Sequence, residues 1–262
     1  MVAASKMRKA QDAATASGPF ARRLYRIQRI ATTQPMEFRH PLLEEREVRK
    51  RAVVLVAGDK GLCGALNSNV FRLAAQYPVD STVFITAGRK AAQFVSRSGR
   101  TLAAEFAYGD TPDYAQARAI ANFARDLFLT REVDQVLLVT TRFVNTLTQE
   151  PVALEYLPVG QIKSLKVPGV EEEALAEDDS EIVFEPTTEH VLGYLVGQYL
   201  NVYMFYALVN AKASEQSARM VSMKNATDSA EALIKELTLE YNKLRQGNIT
   251  RELLEIAGGQ AG

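Results

Sequence analysis

Three short apolar runs punctuate the middle of the chain: Ala52-Val53-Val54-Leu55-Val56-Ala57, Thr82-Val83-Phe84-Ile85-Thr86 and Val136-Leu137-Leu138-Val139-Thr140. They are rich in β-branched residues and apolar at nearly every position, the pattern of strands buried on both faces of a parallel sheet. Helical apolar spacing fills the intervals, over about residues 66–76, 89–97 and 113–129. Strands alternating with helices predict an α/β fold with a parallel-sheet, Rossmann-like body. Val152-Ala153-Leu154-Glu155-Tyr156-Leu157 adds a further strand, and no internal repeat is present.

The pattern changes towards the C-terminus. No proline follows Pro186, so no residue there lacks a backbone donor and a long helix is free to form. Alternating steps of four and three from Leu195 pick out Tyr199, Val202, Tyr206, Val209, Ala213, Gln216, Met220, Met223, Thr227, Ala230, Ile234, Leu237, Tyr241, Leu244 and Asn248. Only Gln216, Thr227 and Asn248 are polar. An apolar repeat of about 3.5 residues sustained this long is the signature of a left-handed supercoil. A continuous helix from Thr187 to Ala257 would measure ~106 Å at about 1.5 Å per residue. The remaining chain, folded compactly, would be only about 40 Å across. The helix is therefore expected to project from the body, with Gly193, Gly197 and Gly247 weakening it by ~1 kcal/mol each. The chain start offers it a partner, because Ala3, Met7, Ala10 and Ala14 repeat at the same steps. Ser17-Gly18-Pro19 bends or restarts that first helix, and the arginine-rich segment 20–31 continues it. The expected architecture is a coiled-coil helix and connector over 1–50, an α/β body over 51–186 and a long helix over 187–262, with both chain ends forming an antiparallel coiled coil.

Composition narrows the function. The 262 residues are 47% hydrophobic, with Lys plus Arg at 31 and Asp plus Glu at 31. Zero net charge argues against a dedicated nucleic-acid binder. The charge is unevenly spread. Residues 1–30 carry seven bases against Asp12 alone, whereas 171–185 carry eight acids and no base. The acidic run reads as a surface loop, since uncompensated like charges repel; the basic start reads as a solvated helix face or a docking surface for an acidic partner. A single cysteine, Cys63, excludes an internal disulfide framework and a multi-cysteine metal site. His40 and His190 fit no metal-ligand spacing. No run approaches the ~18 apolar residues of a membrane span, and the basic start is not followed by the apolar stretch of a secretory signal. The default expectation is a soluble protein in a reducing compartment.

One loop has the placement of a phosphate cradle. Gly58-Asp59-Lys60-Gly61-Leu62-Cys63-Gly64 follows the first strand and precedes a helix, where backbone N–H groups hold phosphates in many α/β proteins. Its glycine order matches neither nucleotide fingerprint, so a tight structural turn or a partner contact competes with phosphate binding. Cys63 has no histidine near it in sequence to activate its thiol. No catalytic constellation, cofactor site or metal site emerges.

Three segments carry a resemblance. Met1-Val2-Ala3-Ala4-Ser5-Lys6-Met7-Arg8-Lys9-Ala10-Gln11, the glycine loop 58–67, and Ala213-Ser214-Glu215-Gln216-Ser217-Ala218-Arg219-Met220 with its continuation through Asp228 and 240–256 together resemble the gamma subunits of F-type ATP synthases, in order and over essentially the whole chain. The C-terminal segment is the specific part. The resemblance implies a non-catalytic central rotor shaft, with no cofactor and no metal. Its coiled coil sits inside a hexamer of alpha and beta subunits, and its body meets the epsilon subunit and the membrane ring of c subunits. It would be peripheral to the cytoplasmic face of a bacterial inner membrane. By the same resemblance, Arg245, Gln246 and Thr250 match positions that meet a beta-subunit loop, and Lys6, Arg8 and Lys9 face acidic beta-subunit surfaces. Met7, Ala10, Ala14, Met220, Met223, Ile234, Leu237 and Tyr241 lie on the coiled-coil seam, and Glu181, Ile182, Val183, Phe184 and Glu185 lie on the c-ring and epsilon side.

The sequence departs from the family twice. About two dozen residues, ~36 Å of helix, usually precede the segment matching Met1; either the true start lies upstream or the shaft is paired over a shorter length. The cysteine pair of the chloroplast relatives is absent, which points to a bacterial form. Two other readings compete: an α/β nucleotide-binding enzyme with a helical oligomerisation tail, and a coiled-coil adaptor unrelated to rotation. Deleting residues 171–181 is expected to leave the thermal unfolding midpoint of the body unchanged; a large fall would show that the acidic run packs.

Overall fold

The computed structural model describes residues 40–159 and 187–259. The chain divides into two compact units, Met1–Met220 and Val221–Gly262. In the first, five strands form one sheet: β1 (Arg51–Val56), β2 (Thr82–Ala87), β3 (Thr101–Phe106), β4 (Gln135–Phe143) and β5 (Gln149–Leu157), in the order β3-β2-β1-β4-β5. β1 pairs in parallel with both β2 and β4, and β2 in parallel with β3. Helices α1 (Leu66–Ala74), α2 (Arg89–Arg97) and α3 (Tyr114–Leu129) connect the parallel strands.

The apolar runs form central strands because both faces of the sheet are covered. In β1, Ala52, Val54 and Val56 belong to one apolar cluster with Ile120, Ala124 and Phe128 of α3. Val53 and Leu55 belong to a second, with Val70 and Ala74 of α1 and Ala91 and Val95 of α2. The α3 start carries a capping box, in which Asp113 N donates to Gln116 Oε1 at 3.1 Å. Gly88 opens α2 at φ +95°, and a Cβ there would lie 2.1 Å from the Ala57 carbonyl oxygen, so no other residue fits.

Two strands differ from the hydrophobic reading. Thr101–Phe106 carries alanine and glutamate, which have weak strand preference, and it lies at the sheet edge with Leu102 exposed, so it gives no buried-run signal. β5 runs antiparallel to β4. Their connection is too short for a crossover, and Asn145 Oδ1 closes it by accepting from Leu147 N at 2.9 Å and Thr148 N at 2.8 Å.

Helix α4 (Thr188–Gly259) is continuous for 72 residues and passes through Gly193, Gly197 and Gly247 without a break. Within the first unit it buries Val196, Tyr199, Leu200, Val202, Met204 and Leu208 in the cluster shared with α3. Tyr156 Oη donates to the Leu200 carbonyl at 2.9 Å, and Tyr114 Oη donates to Gln198 Oε1 at 3.0 Å. From Met223 to Ile256 its side chains are exposed, and Thr227, Ser229, Thr238 and Thr250 donate back to the carbonyl four residues earlier. The expected pairing with an N-terminal helix falls on residues outside the described set, as does the acidic run.

Burial pushes the Tyr203 hydroxyl up to about 12 and those of Tyr156 and Tyr199 well above the ordinary tyrosine range. The native state therefore holds these protons after the unfolded chain, titrating near pH 10, has released them. Stability is expected to be level up to about pH 10 and to fall as pH rises towards the native values. Urea unfolding between about pH 8 and pH 11 checks this; Tyr203→Phe should make the alkaline fall shallower.

Candidate functional site

The order of the sheet places its turning point beside β1, with β2 and β3 on one side and β4 and β5 on the other. Open α/β sheets take their ligands at such a point, beyond the carboxyl ends of the strands. The glycine loop stands there, directly after β1. In this chain the crevice is filled from within, by one stretch of α4.

Glu215 lies against Gly58. A Cβ at position 58 would sit 2.8 Å from the Glu215 Cδ and 3.1 Å from its Oε2. Lys212 Nζ is 2.9 Å from Glu215 Oε2 and 3.6 Å from Asp110 Oδ1, in the loop after β3. The same ammonium stands 4.9 Å from the centre of the Tyr108 ring, whose hydroxyl donates to the Ala57 carbonyl at 3.0 Å. Arg219 spans the remaining gap: Nη2 pairs with Glu215 Oε1, Nη1 donates to Gln216 Oε1 at 3.1 Å, and Nε donates to the Gly61 carbonyl at 3.3 Å. Lys212 and Glu215 are 1% and 2% exposed, so both charges are held in a dry site by each other. Burial, and then the Glu215 charge, push the Tyr108 hydroxyl well above its ordinary range.

Two of the backbone donors at this point are already engaged. Gly58 N donates to Asn67 Oδ1 at 3.2 Å, and Arg89 N, at the start of α2, donates to Asp59 Oδ1 at 2.9 Å. Lys60 is exposed. Cys63 is buried, and desolvation pushes its thiol up against the opposing pull of Arg219, which disfavours a reactive thiolate. Leu62 is left exposed at φ +63°. The loop is thus a turn shaped around a glutamate. The sequence reading left the structural turn open but missed Lys212, Glu215 and Arg219 as its partners. Opposite charges three residues apart among polar neighbours are equally the pattern of a solvated helix face, so the sequence carried no signal that this group is buried.

The other expected site residues fall into two groups. Arg245, Gln246 and Thr250 are exposed on α4 in the second unit, and the Thr250 hydroxyl already donates to the Gln246 carbonyl at 2.8 Å. On the expected seam, Met220 is half-buried, and Met223, Ile234, Leu237 and Tyr241 are exposed. Lys6, Met7, Arg8, Lys9, Ala10 and Ala14 lie outside the described residues, as do Glu181, Ile182, Val183, Phe184 and Glu185. Among the described residues no cluster of His, Cys, Asp and Glu is arranged to hold a metal ion.

An α/β body with its ligand crevice occupied by its own helix, and an exposed helical arm lined with large apolar side chains, defines a subunit built to join an assembly. Comparison with known proteins agrees. Residues 1–262 match the ATP synthase family. The chain is 40% identical to the ATP synthase gamma chain of Opitutus terrae over 265 residues, spanning 99% of this chain and 90% of that one. The chain therefore belongs to the ATP synthase gamma-chain family. Its fold is similar to one in the mitochondrial ATP synthase central stalk and c-ring of Tetrahymena thermophila, with a TM-score of 0.63 and 23% identity over 87% of this chain and 96% of that chain. A chain of the Euglena gracilis mitochondrial ATP synthase rotor is also similar, with a TM-score of 0.55 and 18% identity over 94% of this chain and 99% of that chain.

Because Glu215 fills the cradle, isothermal titration of the full chain with ATP or ADP is expected to give no saturable heat. One-to-one binding would favour the nucleotide-enzyme reading.

Proposed function

We propose that this chain is the non-catalytic central-stalk rotor subunit of an F-type ATP synthase, coupling rotation of a membrane c ring to conformational change at the catalytic sites of an alpha/beta hexamer. The carrying observation is the gamma-chain match along the whole sequence, joined to a 72-residue helix whose side chains are exposed from Met223 to Ile256. An asymmetric shaft works by differential contact: each surrounding beta subunit meets a different face, and a conformation is favoured only by as much as that face binds it better. No free energy need pass through a bound ligand.

In this reading residues 1–50 supply the first coiled-coil helix and connector, 51–186 the body, and 187–262 the long helix. The N-terminal helix packs along α4 through Met7, Ala10 and Ala14. Support comes from the matching apolar steps and from the burial of every residue from Ala211 to Ser217, which spans the full circumference of the helix. Arg245, Gln246 and Thr250, with Lys6, Arg8 and Lys9, meet the beta subunits, and Glu181 to Glu185 lie towards the c ring and the epsilon subunit. Exposed polar side chains suit contacts that form and break in each cycle. Among the described residues no helix is long and apolar enough to cross a membrane, and the proposed location is peripheral, at the cytoplasmic face of a bacterial inner membrane.

Replacing Arg245 and Gln246 together by alanine is expected to lower both ATP turnover and torque of the reconstituted hexamer severalfold while leaving assembly intact. Unchanged turnover and torque would remove these two residues from the coupling contact.

A further inference from the structure

We propose that Lys212, Glu215 and Arg219 form a fixed joint that keeps α4 from turning or sliding in the α/β body, with Glu215 as the positioning residue. The proposal rests on the rotor reading, since only a part that carries torque needs such a joint.

Most of the seat of α4 is apolar, and apolar burial is non-directional. The charged group supplies direction. From a stretch of α4 between positions 212 and 219, Arg219 reaches the loop after β1 at the Gly61 carbonyl, and Lys212 reaches the loop after β3 at Asp110. One such tether would be a pivot; two on separate loops fix the rotation of the helix about its axis. Glu215 links them, since one of its oxygens takes Lys212 and the other takes Arg219. Its carboxyl can reach the end of β1 only because Gly58 has no side chain.

The seat is also discrete. Advancing the helix by one residue turns it about 100° and shifts it about 1.5 Å, which lifts Glu215 off Gly58 and breaks the Arg219–Gly61 and Lys212–Asp110 contacts, while the pairs of Glu215 with Lys212 and Arg219 travel with the helix. The fit at Gly58 and both contacts to the body are lost together, so the seated position is distinct from its neighbours. The joint ends at Arg219, next to Met220, the last residue of the first unit.

The test uses the whole complex, reconstituted in vesicles with the wild-type chain, Glu215→Gln or Gly58→Ala, and reads ATP hydrolysis and ATP-driven proton uptake on the same sample. Glu215→Gln keeps the shape and removes the charge; the Cβ of Gly58→Ala displaces the carboxyl. Both variants are expected to hydrolyse ATP at the wild-type rate while protons moved per ATP fall severalfold. A merely structural role would lower assembly and hydrolysis together and leave the ratio alone. Unchanged coupling in both variants overturns the joint, even if their melting temperatures fall. Where Glu215→Gln does not assemble, Arg219→Lys serves in its place, since it keeps the charge and loses the three-way bridge. Coupled uptake by a complex lacking the chain altogether would instead overturn the rotor reading.

Discussion

Glu215 can stand at the end of β1 only because residue 58 has no side chain, and much of the molecule's character follows from that contact. A carboxylate buried there must be neutralised, which Lys212 and Arg219 do from the same helix. The helix must then run across the carboxyl end of the sheet, the place where related architectures bind small molecules. Occupying the crevice removes one function and makes room for another, since a body gripping its own helix can act on it mechanically.

Helix α4 joins two regimes of stability. In the first unit its residues share an apolar cluster with α3 and the sheet, and Tyr156 and Tyr114 tie it down with hydrogen bonds. Glycines at 193 and 197 are tolerated there because packing outweighs the ~1 kcal/mol each costs. In the second unit Leu233, Ile234, Leu237, Tyr241 and Leu244 are all exposed. Large apolar side chains held in water along one helix are a surface awaiting partners.

The central strands were legible in sequence because they are buried on both faces, so Ala52 to Val56 carry no polar interruption. The long helix was legible because proline is absent and the seam is regular. Edge strand β3 was not, since half of its environment is solvent and Leu102 is its one large apolar residue before Phe106. The direction of β5 depended on the Asn145 turn rather than on the strand's own pattern. Arg245, Gln246 and Thr250 came from the resemblance alone, and on the helix they are exposed. The joint stayed hidden because Lys212 and Glu215, read as isolated letters, belong on a surface. Their burial follows from Gly58, more than 150 residues away in sequence, and no local pattern carries that pairing.

A joint of this kind requires the body to turn as one piece with its helix inside an assembly that stays still. The direct measurement fixes the alpha/beta hexamer to a surface and follows a probe attached through Leu147→Cys, an exposed position on the β4–β5 turn. Stepwise rotation of the probe in one direction on adding ATP is the predicted result. A probe that stays still while ATP is hydrolysed would contradict it.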